Sequence, residues 1–427
     1  MDISELDKSI GMLCYSTSCD GIGGRIRSKY EDFQVEEIIN PNLEIKENFD
    51  STYRYPIYVL EKIGIDTIHA CKMIEMRLGS KIRYLGLKDA KAFTKQYVSP
   101  TSLKAHLLKD FQIDNKISLK LIGYSSRPLI RRDLVGNKFK IKIVDVNMNY
   151  DFIERCLNEV MASMNEGKVP NFFGYQRFGS KRPINHLIGR ALVKRNFDEA
   201  LKILLSYPSI YDNEELKAFR EFCKEENYQR ALSMLKPELD IEGLVLKRLV
   251  KKPKASIEAL REIPLSLRRL FVNAYQSYIC NRVLSLAINA GMDLINIEKG
   301  DYYGEFDLTQ GRLIKVSKSS LSNKQGKLIV PLIPIVGYAY RNTSNRFDTI
   351  INQMLEEEGV KAHDFYIKEL PEVSMEGGFR VAPLICKNFN WRLNNEVFLT
   401  IDLFKGSYVT IILREIMKPK NPIEAGF

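Results

Sequence analysis

The sequence predicts an α+β protein whose main domain is discontinuous, split around an inserted domain. Three observations lead there. Strand and helix patterns are mixed over the first 150 residues, helical periodicity dominates from about 185 to 290, and strand signals return at the C-terminus. A chain of 427 residues also exceeds the usual single core, which implies two domains or one domain with a large insertion.

In chain order, Thr67 to Gly79 places Ile68, Cys71, Ile74 and Leu78 at helical spacing, and Gly79 suits a C-terminal cap. Ile82-Arg-Tyr-Leu-Gly-Leu87 reads as a buried strand. Lys138 to Val144 alternates, with Phe139, Ile141 and Ile143 on one face and Lys138, Lys140 and Lys142 on the other. This predicts a half-buried antiparallel strand with a cationic outer face, either solvated or covered by RNA. A helix starts at Asp151, with Glu154 three positions on and a stripe of Ile153, Cys156, Leu157, Val160 and Met164. Asn196-Phe-Asp-Glu-Ala-Leu201 is echoed by Asn227-Tyr-Gln-Arg-Ala-Leu232, which hints at a repeated helical hairpin; two copies are too few for a solenoid. The basic run Lys247 to Lys254 contains Pro253 and reads as an exposed connection, free to contact phosphates or simply solvated. Residues 295 to 350 look β-rich, and Glu356 to Glu358 marks a polar helix end or loop. Glu396 to Ile401 and Ser407 to Leu413 read as two closing strands.

Lys+Arg number 64 against 53 Asp+Glu, a net charge of +11 that fits a polyanionic partner, although a merely basic enzyme would carry it too. No window holds the ~18 uninterrupted apolar residues of a membrane span. The acidic start, Met1 to Asp7, lacks the order of a signal peptide, so a cytoplasmic protein is expected. Seven scattered cysteines without a CxxC pair argue for reduced thiols and against a disulfide framework. Histidines 69, 106, 186 and 363 show no metal-ligand spacing, and no metal or cofactor is expected.

Two stretches carry chemistry. In Gly86-Leu-Lys-Asp-Ala-Lys-Ala-Phe-Thr-Lys-Gln96, a lone carboxylate, Asp89, stands between Lys88 and Lys91 at a strand end. Flanking cations favour an ionised acid, suited to a nucleophile or base acting on an anionic polymer. Read alone, an Asp capping a turn explains it better. In Asn171-Phe-Phe-Gly-Tyr-Gln-Arg-Phe-Gly179, Gln176 and Arg177 can hold phosphates or a base edge. The aromatics there either stack on bases or pack a domain junction. Gly136-Asn-Lys-Phe139 adds an amide and a ring, or is a turn leading into a core strand. Gly21-Ile-Gly-Gly24 lacks the ending and spacing of a phosphate loop.

Together these segments resemble the TruD family of pseudouridine synthases, in its archaeal and eukaryotic-like branch. Glu31-Asp-Phe-Gln-Val-Glu-Glu37, Gly86 to Gln96, Gly136 to Phe139, Val169 to Gly179, Ala274 to Asn281, Phe404 to Thr410 and Leu413 to Lys418 follow in family order. The resemblance implies a mixed, mainly antiparallel sheet with flanking helices. It also implies a catalytic domain made of residues 1–171 and 383–427 around an inserted domain at 172–382. Asp89 falls at the catalytic aspartate, Asn137 and Phe139 at the residues that orient it and stack on the target base, and Arg27 at its basic partner. Lys88, Gln96, Asn171, Gln176 and Arg177 are then expected to bind substrate. The implied reaction converts uridine to pseudouridine in tRNA, at uridine 13, with other uridines and RNAs open in this branch. It needs no cofactor, and no obligate protein partner is inferred. Two rivals are an RNA chaperone that kept the fold without the chemistry, and another RNA enzyme such as a nuclease or methyltransferase. The presence of Asp89, Asn137 and Phe139 argues against the first. The lack of a clustered acidic metal site or a cofactor loop argues against the second.

Overall fold

The alternation at Lys138–Val144 belongs to a long central strand of a nine-stranded sheet. The structure, a computed structural model, describes residues 2–102, 109–179, 182–236, 239–318 and 328–427. After a short helix α1 (Glu5–Ser9), the strands are β1 (Phe33–Ile39), β2 (Tyr55–Ile63), β3 (Ile82–Tyr84), β4 (Phe93–Pro100), β5 (Phe111–Asp114), β6 (Ile117–Ser125) and β7 (Leu134–Ile143). Between β2 and β3 lies α2 (Thr67–Leu78), capped by the Asp66 side chain and closed by Gly79 at φ 62°. Its buried stripe is Ala70, Cys71, Ile74 and Leu78, whereas Ile68 is exposed. α3 (Tyr150–Asn165) starts slightly earlier than expected because Asn149, not Asp151, caps it, and it buries the whole predicted stripe.

The predicted helical middle is present. α4 (Asn185–Val193) and α5 (Phe197–Ser206) form one hairpin, and α6 (Glu214–Lys224) and α7 (Tyr228–Ser233) another. The 196/227 echo has a local cause. Asn196 and Asn227 each cap a helix by accepting from the backbone N–H three residues on. Each follows a left-handed residue, Arg195 and Glu226, both at φ 57°. α8 (Asp240–Lys251) takes in most of the 247–254 run. Its first five residues are therefore helical, with Leu249 buried, instead of a connection, although the rest of the run is largely exposed as expected. α9 (Ser256–Glu262) and the long α10 (Leu265–Asn289) follow.

A second sheet holds β8 (Tyr302–Asp307), β9 (Arg312–Ser317), β10 (Leu328–Ile335) and β11 (Gly378–Val381), with α11 (Asp348–Glu358) between the last two. β12 (Cys386–Leu393) and β13 (Val397–Phe404) then return to the first sheet, whose order is β12-β13-β7-β1-β4-β2-β6-β5 with β3 also on β4. The chain leaves and re-enters at one place: Pro170 bridges Pro383, and Asn171 N–H donates to the Ala382 carbonyl. β1 and β4 are parallel, and among the described residues every other strand pairing is antiparallel.

Four expectations need correction. Ser407–Leu413 is not a strand; it leads into α12 (Val409–Met417), which is buried all round, so its β-branched run shows no polar alternation to betray a helix. The strand at 82–87 ends at Tyr84, and Leu87 is 63% exposed because the chain leaves the sheet there to form a loop. The face of β7 away from Phe139 is not an open row of cations. Lys142 is bridged by Asp32 and Glu396, while Glu36 and Asp402 flank Lys138 on the adjoining strands. Finally, the thiols are not all free: Cys19 and Cys156 form a disulfide that ties the N-terminal segment to α3, with Cα atoms 5.6 Å apart.

A buried polar network joins the two ends of the chain. Arg414 on α12, fully buried, donates to Asp7 Oδ2 (2.8 Å) and to the Cys14 carbonyl (2.9 Å). The Tyr175 hydroxyl donates to Asp7 Oδ1 at 2.6 Å. Burial opposes the Arg414 charge, but Asp7 and the neighbouring groups outweigh it and raise its pKa above the ordinary value. Asp7→Ala leaves the buried Arg414 with only one carboxylate contact, the longer one to Glu415 (3.4 Å), and should lower unfolding free energy by ~3 kcal/mol in chemical denaturation. Intact-mass measurement after alkylation of the denatured chain should find five modified thiols without reductant and seven after reduction.

Candidate active site

The parallel β1–β4 pair explains how distant residues meet. Gln34 stands opposite Phe93 in register, and both strands run the same way. The segments that precede them, carrying Arg27 and Asp89, therefore arrive at the same end of the sheet. β7 runs antiparallel beside β1 with Phe139 opposite Val35, which places Phe139 on the same face as Val35 and Thr94. The result is a pocket of about 200 Å³ walled by Arg27, Asp89, Asn137, Phe139 and Gln176, with Leu87 and Lys88 on one side and residues 407–410 on another.

Asp89 is the exposed acid at this pocket, with 55% of its side chain accessible, and its Oδ2 lies 3.7 Å from the Arg27 guanidinium. Arg27 is buried at 9% and lies 4.1 Å over the Phe33 ring, whose edge in turn meets Phe139 at 6.3 Å. Burial lowers the Arg27 pKa and Asp89 opposes that shift; a guanidinium stays charged regardless. Arg27 also sits at φ 59°, a conformation costing ~1–2 kcal/mol for a side chain with a Cβ. Its surroundings enforce it: Ile26 N–H donates to the Ala425 carbonyl and the guanidinium to that of Gly426. Such strain persists where packing over-determines the backbone, often at functional sites.

The lysines beside Asp89 do not act as their sequence positions suggested. The Lys88 ammonium turns to the buried Glu37 carboxylate at 2.6 Å, so the cation facing Asp89 comes from Arg27. Burial raises the Glu37 pKa while Lys88 and the Tyr97 N–H pull it back. Beneath the loop lies Lys62, 1% exposed, which donates to the carbonyls of Ile65 (2.7 Å), Lys88 (3.4 Å) and Asp89 (3.1 Å). Burial pushes its pKa down to about 8, against the pull of Asp66 and Asp89. Sequence reading passed over Lys62, yet a signal was there: it shares the phase of Tyr58 and Leu60, the buried positions of β2.

Other expected contacts divide. Asn137 lines the pocket, but no hydrogen bond links it to Asp89 among the described residues; its Oδ1 has no protein partner. Arg27 Nε and Thr410 Oγ1 are likewise buried without one. Gln176 reaches the wall because Gly174 passes close to α12's start: a Cβ there would lie 2.8 Å from Thr410 Oγ1. Gln96, fully buried, faces inward instead, accepting from Thr67 and donating to the Gly86 carbonyl. Asn171 is buried against Arg380 and Val381, and Arg177 stacks over Phe173 without lining the pocket. Phe172, Phe173, Tyr175 and Phe178 are buried and pack the junction. Arg380 settles there too, bonded to Asn171, Phe172 and Gly406 and 3.9 Å over Phe173. Gly21 and Gly24 pack against Lys418 and Val144, and the Ile22 and Gly23 N–H groups are spent on the Ile416 and Met417 carbonyls, which leaves no cradle of free N–H groups for a phosphate. Among the described residues no group of three or more His, Cys, Asp or Glu gathers as metal ligands, and His106 lies outside them. No described helix is long and apolar enough to cross a membrane.

Comparison with known proteins gives a consistent result. The family described as tRNA pseudouridine synthase D (TruD) matches residues 9–416. A probable tRNA pseudouridine synthase D of Methanosarcina acetivorans is 32% identical, covering 98% of each chain. That of Pyrococcus furiosus is 33% identical, over 96% of this chain and 99% of its own. The crystal structure of a Methanosarcina mazei protein described as tRNA pseudouridine synthase D (TruD) superposes with a TM-score of 0.80 at 32% identity, covering 98% of this chain and 99% of that one.

Lys62 offers a pH test of the loop's support. Its folded value of about 8 lies below the ordinary 10.5, so between these values the unfolded chain holds more protons. This group's contribution to stability therefore grows as pH rises across that window, and fades as pH falls through about 8. Urea midpoints of wild type and Lys62→Met, compared at pH 8 and pH 10, should show that increment only in the wild type.

Proposed function

The chain belongs to the TruD family of tRNA pseudouridine synthases, isomerases that act without group transfer to a second molecule, and from that premise we propose that it converts uridine 13 of tRNA to pseudouridine with Asp89 as the catalytic carboxylate. The reading is carried by one observation: Asp89, Asn137 and Phe139, supplied by separate segments, converge on a single pocket with Arg27 behind the acid. A two-part catalytic domain, 1–171 with 383–427, around an insert at 172–382 is part of this reading and is supported by the Pro170–Pro383 bridge.

The chemistry breaks the C1′–N1 bond of uridine, turns the base and joins C1′ to C5; C5 loses a proton and N1 gains one. The uridine must first leave its stack, at a cost of ~a few kcal/mol. The Phe139 ring offers the flipped base a stacking surface. The unpartnered Asn137 Oδ1 and the Gln176 amide offer its polar edge hydrogen bonds, which would relieve ~1–3 kcal/mol of desolvation for each buried group now unmatched. Asp89 then either adds to C1′ or takes the C2′ proton, and in both routes the Arg27 guanidinium at 3.7 Å balances the carboxylate and fixes its direction. Lys62, through the loop carbonyls, sets the height at which Asp89 stands.

Incubation with an unmodified tRNA transcript and chemical mapping should place pseudouridine at position 13. Product elsewhere would relocate the target, and none at all would overturn the assignment. Asp89→Asn should abolish turnover while binding the transcript nearly as well as wild type; residual turnover within tenfold of wild type would exclude Asp89 as the reacting group. Deuterium at C2′ separates the two routes, since proton removal there slows the deuterated substrate and attack at C1′ leaves its rate almost unchanged.

A further inference from the structure

The pocket alone does not account for how a long polyanion is held beside it. Four cations lie together on the surface next to its wall: Arg131, Arg132, Lys405 and Arg312, all exposed. Arg131 and Arg132 form the short turn that feeds directly into β7, three strand positions before Asn137. The Lys405 ammonium donates to the Arg131 carbonyl at 2.7 Å, and its backbone N–H to the Val135 carbonyl at 2.9 Å. Lys405 is two residues from Ser407, a pocket-lining residue, and so at most ~7 Å away along the chain.

Arg312 comes from the other sheet. The β8–β9 hairpin reaches across to the first sheet: the Phe306 and Phe404 rings meet edge to face at 5.0 Å, and both pack with Val135. Gly311 makes the approach possible, because a Cβ there would stand 2.4 Å from the Val135 carbonyl oxygen. This close fit fixes Arg312 beside the catalytic strand. Burial first, then Arg131, Arg132 and Arg312, hold the Lys405 pKa below its ordinary value, as expected when the four cations share one small area.

No carboxylate pairs with any of the four among the described residues. The acid in the same turn, Asp133, is buried and committed to Arg127 at 2.8 and 2.5 Å. Asp307, opposite Arg312 in the hairpin, accepts from the Thr309 and Gln310 N–H groups. Other surface cations do meet acids, as Lys95 does with Glu61 and Arg25 with Asp145. A cluster whose nearby acids are engaged elsewhere carries self-repulsion that an external anion relieves, and two guanidinium groups on one turn suit the bidentate geometry of phosphate.

We propose that Arg131, Arg132, Lys405 and Arg312 form a phosphate clamp that grips the RNA backbone within a nucleotide or two of the flipped uridine, so that the inserted domain contributes directly to substrate binding. The inference rests on the assignment of an RNA-modifying pocket. The clamp reads charge and spacing, not bases; it positions the strand while Asp89 and Phe139 act on the base.

The test measures affinity for the unmodified tRNA transcript across salt concentrations, for wild type, Arg312→Gln, Arg131→Gln/Arg132→Gln and the fourfold Gln variant. Each lost phosphate contact should lower the slope of log affinity against log salt by ~0.9, and by ~0.7 where the strand is single. KM should rise tenfold or more in the double variant, with the change falling on KM more than on kcat. Arg312→Lys, which keeps the charge, should restore the wild-type slope. A fourfold variant that melts like wild type yet keeps its slope and KM would overturn the clamp. A wild type that forms no pseudouridine in any transcript would instead sink the functional assignment, so the two failures are distinguishable.

Discussion

The Asp7–Arg414 ion pair is the constraint on which the rest of the site depends. Asp7 belongs to the first helix, Arg414 to the last, and Tyr175, which donates to the same carboxylate, to the turn that presents Gln176. Two walls of the pocket, Gln176 and the start of α12, are thereby tied to one buried carboxylate. A charge pair out of water is a weak source of net stability but a strong source of uniqueness where each partner must be satisfied. Here every alternative packing of the two chain ends would leave a guanidinium or a carboxylate unmatched in the core. Glu415 extends the lock, accepting from the Ser16 N–H and the Thr17 hydroxyl, so the N-terminal segment is threaded along α12 before it reaches Arg27.

Around that anchor the site is built in layers of differing rigidity. The Phe139 ring and the Arg27 guanidinium are buried and enclosed, whereas the Asp89 carboxylate sits on a loop held from beneath through its own backbone. The support works by counting hydrogen bonds: Lys62 satisfies three carbonyls, Thr67 accepts the Lys88 N–H and donates to Gln96, and Glu37 takes the Lys88 ammonium. Lys88, which looks from the sequence like a substrate contact, is consumed in holding the loop still. What remains exposed along it are the acid, Lys91 and an apolar neighbour, Leu87.

How far the sequence discloses this follows from what each element buries. Thr67–Leu78 and Tyr150–Asn165 are legible because each shows one apolar stripe against a polar remainder. Val409–Met417 is not, since its β-branched start, Val409-Thr-Ile-Ile412, reads as a strand and every residue of it is buried. Asp89, Asn137, Phe139 and Gln176 could be named because their local motifs are dense, and Arg27 only through the family resemblance; their meeting is a property of the parallel β1–β4 pair that no local pattern displays. Gln96 and Asn171 lie in equally dense motifs, yet their side chains point into the protein, and direction is set by tertiary packing. The cysteine pattern misled for a related reason: a bond across 137 residues leaves no trace in spacing.

The placement of the last residues has a consequence for how the protein comes into being. Arg27 is held in its strained conformation by the Ala425 and Gly426 segment, and Gly23 N–H bonds to the Met417 carbonyl. The catalytic face is thus closed by contacts spanning almost the whole chain, the kind of long-range pairing that forms late and slowly. A nascent chain still on the ribosome can assemble the β2–β6 half of the sheet but has no means of fixing Arg27. The pose of Arg27 therefore waits on a segment some four hundred residues away, and the pocket is finished only when that segment docks.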